Sequence, residues 1–450
     1  MKIINSKDFN TYWKTETLAA DDTETEKTVK EIIAEVRLNG DNAVRKFASK
    51  FDKSSPLKLE VPLSELKIAY DELCVNDTEL FDVLNLSAKH IKIFSDKQKE
   101  QFSDFEYEME SGLVTGQRII PVQRAAVYIP GGRFPLFSSV LMCMIPAFCS
   151  GVEEVILSSP PTQDGLPDRK TLAAAAIAAK TVGMSLDDSA CEKKLKVFAI
   201  GGAQAIAALA LGTESVPRVD VITGPGNRFV AAAKRILFGE VGIDFIAGPT
   251  DILIISDGKS TEGLDNIAAL IAADMLGQAE HDVDARARVL VPNKELAEKI
   301  VSLVNHRLET LSTAQTAKES LKAGGLIIIY ENKEDAVKIA NIIAPEHLEL
   351  QVNDDESWIP LLKNYGSLFI GALSAEVLGD YSAGINHTLP TSTSARFTGG
   401  LSVRHFLKTV TTLRCSEGEG FEKSRNAAEI IARAEGLEGH ALSAAIRQIR

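Results

Sequence analysis

The sequence holds only seven histidines, and three of them stand beside carboxylates or amides in patterns that could do chemistry. Gln278-Ala279-Glu280-His281 ends a segment with apolar positions at Ile267, Leu270, Ile271 and Met275. Spacing i, i+3 puts Gln278 and His281 on one helix face, a pair that could bind a metal through oxygen and nitrogen. Spacing alone leaves a capping or core histidine as the commoner reading, because glutamine is an uncommon zinc ligand. Glu346 and His347 are adjacent, between a helical segment and the strand-like LELQV, and could form an acid/base pair. A helix-end charge beside a surface histidine fits them equally well. The run 379–387, GDYSAGINH, reads as a polar, glycine-flanked loop carrying Asp380 and His387, the kind of loop that is more often functional than structural. Glu435 and His440 lie in a helix-rich tail and by themselves look like surface residues. His90, His306 and His405 sit in plain amphipathic or charged contexts.

Glycine turns supply a second kind of signal. KVFAIGGAQ (196–204) and DVITGPGN (220–227) each run from an apolar strand through glycines into a helix, and Tyr128 to Gly132 makes a third turn. Glycine allows close backbone approach, and the free N–H groups of a following helix attract pyrophosphate. None of the three is a full G-x-G-x-x-G, and no acidic residue is clearly placed behind them to hold a ribose. Tight packing of helix on strand explains each one alone, but three together favour a ligand cleft at strand ends. HExxH, Walker A, EF-hand, CxxC and G-x-S-x-G patterns are all missing from the sequence.

The elements that must carry these residues follow from periodicity. Residues 1–110 read as helical, with a break at Asn39-Gly40, and 78–102 form a lysine-rich amphipathic helix. From about 118, β-rich runs at 125–130, 154–159, 196–202, 220–226, 251–256, 287–292, 325–331 and 366–371 alternate with helical segments. That grammar implies an α/β protein with two Rossmann-like parallel-sheet domains and small helical N- and C-terminal segments. The boundaries expected are 1–24 for the N-terminal helical segment and 25–127 plus 252–401 for the first α/β domain. The second α/β domain takes 128–251, and 402–450 forms a C-terminal helical tail.

Composition bounds the partners. Lys plus Arg total 49 and Asp plus Glu 62, a net charge of −13, which argues against nucleic acid or an anionic membrane as the main partner. Five scattered cysteines give no disulfide framework or thiolate metal site. The start, MKIINSKDFNTYWK, lacks a signal-like apolar run, and the longest apolar stretch, 136–149, is too short to span a bilayer and reads as a buried helix. A cytoplasmic protein is expected.

Taken in order, VYIPGG, GGAQAIAALALGTESVP, GPGN, IDFIAGPTD, QAEHD, PEHLEL and GDYSAGINHTLPTS resemble the histidinol dehydrogenases, from about residue 20 to the C-terminus. The resemblance implies two NAD-dependent oxidations, of L-histidinol through L-histidinaldehyde to L-histidine. It implies one zinc per site on Gln278, His281, Asp380 and His440, catalysis by Glu346 and His347, and cofactor contacts from Tyr128, Gln204 and Asn227. Substrate contacts map onto Thr250, Gln278, His281, His347, Asp380, Glu435 and His440. It also implies a homodimer whose C-terminal tails cross over, so that active sites are shared between chains. Thr250 departs from the serine common in the family, keeping the hydroxyl and adding a methyl. The alternatives are a relative acting on another small alcohol, such as a sulfonated propanediol, and a non-catalytic zinc- or nucleotide-binding homologue. Glu435 speaks for an imidazole N–H over a sulfonate, which would want Arg or Lys. Retention of both Glu346 and His347 speaks for catalysis.

Overall fold

The computed structural model describes residues 1–16, 23–54, 58–131, 135–246, 248–259 and 263–448. Gly132 of the first glycine turn and residues 17–22 of the expected N-terminal segment lie outside the described residues.

Two six-stranded sheets organise the chain. Sheet 1 is parallel throughout and runs Lys2–Asn5, Leu326–Ile329, Arg286–Val291, Asp251–Ser256, His347–Gln351, Ser367–Ile370. Sheet 2 runs Glu60–Val61, Leu195–Ala199, Glu154–Ser159, Arg124–Tyr128, Val221–Thr223, Gly242–Ile243, and only the Glu60–Val61 edge is antiparallel. Central strands such as DILIIS and EVILSS are buried along their whole length, as strands covered on both faces must be. The apolar run at 136–149 is the buried helix Phe137–Ser150, with Pro146 inside it. The long Thr23–Phe51 helix kinks at Gly40, whose φ of 48° explains the break expected there.

Three expectations need correction. The helices between 25 and 127 do not cover sheet 1. Val29, Ile32, Val36 and Val44 of Thr23–Phe51 share a core with Tyr128, Phe198 and the Gly202–Leu211 helix, all of sheet 2. The helices Leu63–Asn76 and Thr78–Lys99 cover the opposite face of that sheet beside Phe137–Ser150 and Arg169–Thr181. Amphipathic periodicity identified these helices, but it carries no information on which sheet they cover. Second, the N-terminus is not all helix: Lys2–Asn5 is an edge strand of sheet 1 before the Phe9–Glu16 helix. Third, the tail is not all helix. Leu407–Cys415 pairs antiparallel with Leu113–Pro121, which pairs with Phe105–Glu110, giving a third, three-stranded sheet. FEYEME and LKTVTTLRC alternate with period two, so β-structure was legible there and a helical period was the wrong choice. Helices Glu419–Ala434 and Glu438–Ala445 then complete the tail.

Candidate active site

Two sheet edges of opposite polarity face one cavity. Gly242–Ile243 is the last strand of sheet 2 in chain order, and Asp251–Ser256 of sheet 1 is the next strand after it. A cavity of about 230 Å³ is lined from sheet 2 by Ser139, Pro225 and Gly226, and from sheet 1 by Thr250, Glu346, His347 and Asp380. Thr250, Glu346 and His347 sit at the amino ends of their strands, since His347 pairs with Ile252 at the very start of the ladder. The glycine turns lie at the carboxyl ends of the strands of sheet 2, where open α/β sheets bind ligands.

The sheet 1 wall is a network of acids around one imidazole. The Thr250 hydroxyl donates to Glu346 Oε2 at 2.6 Å, and the Asp251 N–H donates to the same oxygen at 3.1 Å. Because Thr250 donates there, it accepts from Gln278 Nε2 at 2.8 Å, which leaves Gln278 Oε1 buried without a partner among the described residues. His347 Nδ1–H donates to the Asp251 carbonyl at 3.2 Å, so in the neutral ring Nε2 carries the lone pair. Among the described residues Nε2 is buried without a hydrogen bond, 3.7 Å from Asp380 Oδ1. Glu376 Oε1 lies 3.4 Å and Glu346 Oε2 3.9 Å from Nδ1.

Titration follows from this crowding. Burial opposes a charge on His347, but Glu376, Glu346 and Asp380 outweigh it and raise its pKa well above the ordinary value. Burial pushes Glu346 up to about 7 against the pull of His347 and Thr250, so its proton is exchangeable near neutrality. Burial likewise pushes Glu376 to about 8.

The expected residues divide into three groups. Gln278 is buried in the helix Leu264–Ala279, whereas His281 falls just beyond its end and is partly exposed, with Nε2 4.0 Å from Asp380 Oδ2. Asp380 is not in a loop but on the short helix Glu376–Tyr381, and its backbone carbonyl accepts from His387 Nδ1 at 2.9 Å. His387 in turn accepts from the Ser139 hydroxyl at 2.8 Å, tying the two walls together. Second, Tyr128, Gln204 and Asn227 gather on sheet 2. The Tyr128 hydroxyl accepts from Gly202 N–H at 3.0 Å, Gln204 Nε2 is buried with no well-formed hydrogen bond among the described residues, and Asn227 caps the helix Arg228–Leu237. Third, Glu435 and His440 are exposed and line a separate groove of about 820 Å³ with Leu413, Phe421 and Ile431, so one chain does not bring them to the cavity.

Sequence reasoning missed Glu376 and Asp251. A carboxylate opening an otherwise apolar central strand marks Asp251, while nothing local distinguishes Glu376. It also missed a buried clasp: Lys234 Nζ pairs with Asp244 and donates to the Gly224 carbonyl at 3.1 Å, while Asp244 accepts from Gly224 N–H at 2.8 Å. Gly224, at φ 108°, has no room for a Cβ against the Tyr128 carbonyl. Breaking a buried pair from one side leaves an uncompensated charge. Asp244→Ala is therefore expected to cost roughly 3–5 kcal/mol in urea unfolding. A loss below about 1 kcal/mol would mean that the pair is already open to water.

The residues present suit a cation. His281, Glu376 and Asp380 offer ligand atoms within 4.8 Å of one another, and Gln278 Oε1 has no hydrogen-bond partner among the described residues. Nitrogen and oxygen donors of this kind are those of zinc sites that keep open positions.

A family model described as histidinol dehydrogenase matches residues 15–448. The chain is 43% identical over 427 residues to a histidinol dehydrogenase of Aquifex aeolicus, covering 94% of this chain and 93% of that protein. It is 42% identical over 424 residues to one of Thermus thermophilus, covering 94% of each. The crystal structure of histidinol dehydrogenase from Elizabethkingia anophelis superposes with a TM-score of 0.85 at 30% identity, covering 97% of this chain and 95% of that one.

Proposed function

The chain belongs to the histidinol dehydrogenase family, and on that premise we propose that it oxidises L-histidinol to L-histidine in two NAD-dependent steps, with L-histidinaldehyde held between them. The observation that carries this reading is the buried His347, its Nε2 beside a cavity and unpartnered among the described residues, and its Nδ1 already committed to a backbone carbonyl. Once deprotonated, such an imidazole accepts a proton at a defined atom, and Glu376, Glu346 and Asp380, the carboxylates that hold its pKa high, stabilise the imidazolium that results.

His347 Nε2 takes the alcohol proton in the first oxidation and the hydrate proton in the second. Glu346 activates water between the two steps, its carboxylate held in place by Thr250 and Asp251. NAD, when bound, supplies the hydride acceptor for both steps. Tyr128, Gln204 and Asn227 hold it on the sheet 2 wall. Gln278, His281, Asp380 and the partner's His440 would hold a zinc ion, which would supply a cationic anchor for the substrate. Thr250, Gln278, His281, His347 and Asp380 line the substrate side from one chain, and the partner's Glu435 and His440 complete it. The exposed, largely apolar groove around Glu435 and His440 supports docking on a second copy. We place the enzyme in the cytoplasm, working in amino-acid biosynthesis; among the described residues no helix is long and apolar enough to cross a membrane.

The test is stoichiometric. Two NADH per L-histidinol are expected, with turnover lost after chelation and restored by zinc, while far-UV circular dichroism stays unchanged because both sheets are built without the metal. One NADH per substrate, or full activity in the chelated protein, would refute the reading.

A further inference from the structure

The acidic residue that the glycine turn 201–204 lacks in sequence arrives from elsewhere in the fold. Asp52 follows the Thr23–Phe51 helix, and its Oδ1 lies 3.0 Å from where a Cβ on Gly201 would sit, at the start of the Gly202–Leu211 helix. The Gly201 N–H is hydrogen-bonded to this carboxylate. Its other oxygen, Oδ2, is buried and has no hydrogen-bond partner among the described residues. Burial pushes Asp52 up to about 6, with Gly201 and Gln204 pulling it back.

Two unused donors face the same turn. Gln204 is 1% exposed and stands beside the Asp52 carboxylate, which it helps to hold down, while its Nε2 makes no well-formed hydrogen bond among the described residues. The Tyr128 hydroxyl accepts from Gly202 N–H, and its own proton goes to no acceptor there. One free carboxylate oxygen with two free donors is the complement of neighbouring hydroxyls, each of which donates and accepts. It is a poor complement to a phosphate. The Asp52 carboxylate and the Tyr128 hydroxyl already take the Gly201 and Gly202 N–H groups that would attract pyrophosphate at this helix start, and a second anion beside the carboxylate would be repelled.

We propose that Asp52 receives the cis-diol of the adenosine ribose of the dinucleotide and rejects a 2′-phosphate there, making it the residue that selects NAD over NADP. This rests on the dinucleotide reading given above. Of the two riboses the adenosine one is assigned because Asp52, Tyr128 and Gln204 are not among the residues lining the cavity around His347, where the reacting ring must reach. Dinucleotide-binding folds meet the same need with an acid about 20 residues after the glycines; here it comes from a helix far upstream.

Binding without turnover tests this. NADH and NADPH are titrated against the full-length protein by fluorescence or calorimetry, for the wild type and for Asp52→Asn. The amide keeps an oxygen for Gly201 N–H and replaces the free acceptor with a donor. Wild-type protein should bind NADH and discriminate strongly against NADPH. Asp52→Asn should bind NADH roughly 10- to 100-fold more weakly, the loss expected for hydrogen bonds to a charged acceptor, and bind NADPH no worse. Asp52→Ser, with the same thermal midpoint as wild type, should show the same collapse of the ratio. An unchanged ratio overturns the proposal, whether both affinities stay the same or both fall equally, because the latter is what loss of the turn alone would do. Wild-type protein that binds neither nucleotide would instead overturn the dinucleotide reading itself.

Discussion

His347→Asn is expected to lower the rate of each oxidation by about 10²–10⁴, so that the full four-electron reaction is nearly abolished. The asparagine amide can still donate to the Asp251 carbonyl in place of Nδ1, so the variant should fold, but no base remains at the position of Nε2. Glu346→Gln should behave differently. A glutamine carbonyl can accept from Thr250 and Asp251 as Glu346 Oε2 does, which preserves the local geometry and removes only the basic oxygen. The alcohol step should then proceed nearly as before while oxidation of the aldehyde slows by a similar factor of about 10²–10⁴. Stopped-flow NADH traces started from histidinol and from histidinaldehyde separate the two steps. Equal slowing of both steps in Glu346→Gln would show that the two residues do not divide the proton transfers.

The second large effect is one of complementation. His347→Asn and His440→Ala, each inactive alone, should regain activity when denatured together and refolded as mixed dimers. His440 and Glu435 are exposed in one chain and border a groove with Leu413, Phe421 and Ile431, away from Gln278, His281 and Asp380. If a partner's tail completes each site, one site of the mixed dimer contains both intact residues. About half the wild-type activity per mixed dimer is expected from that one-in-two count. If His440 acts within its own chain, every site carries a lesion. Mixed dimers shown to form but remaining inactive would refute the shared site.

Much of the fold was legible because its strands are short apolar runs between turns. Asp251–Ser256 and Glu154–Ser159 coincide with their expected ranges, since strands buried on both faces leave a continuous signal. What periodicity could not convey was partnership. The helices between 23 and 99 are recognisably amphipathic, yet their attachment to sheet 2 is a long-range fact. At the site, Glu346, His347 and the glycine turns stood out locally because their residue types are unusual for their positions. His281 did not stay on the helix with Gln278, and Asp380 proved to be helical. Glu376 escaped notice because its importance comes only from lying 3.4 Å from His347, a contact between elements 29 residues apart.

The opposed edges of the two sheets have an electrostatic consequence. Helices that follow the strands of sheet 2 begin at the cavity: Phe137–Ser150 presents Ser138 and Ser139, and Arg228–Leu237 starts just after Gly226. Helices that precede the strands of sheet 1 end there: Leu264–Ala279 stops just before His281, and Lys333–Ile343 just before Glu346. Each helix carries the equivalent of about half a positive charge at its start and half a negative charge at its end. Across the cavity these add to a field directed from one wall to the other, built into the backbone and independent of any titration. A ligand with anionic groups is drawn to the first wall, and a metal cation or an ammonium group to the second. The chain thus sorts a dinucleotide from an amino alcohol by charge before any side chain has read either one.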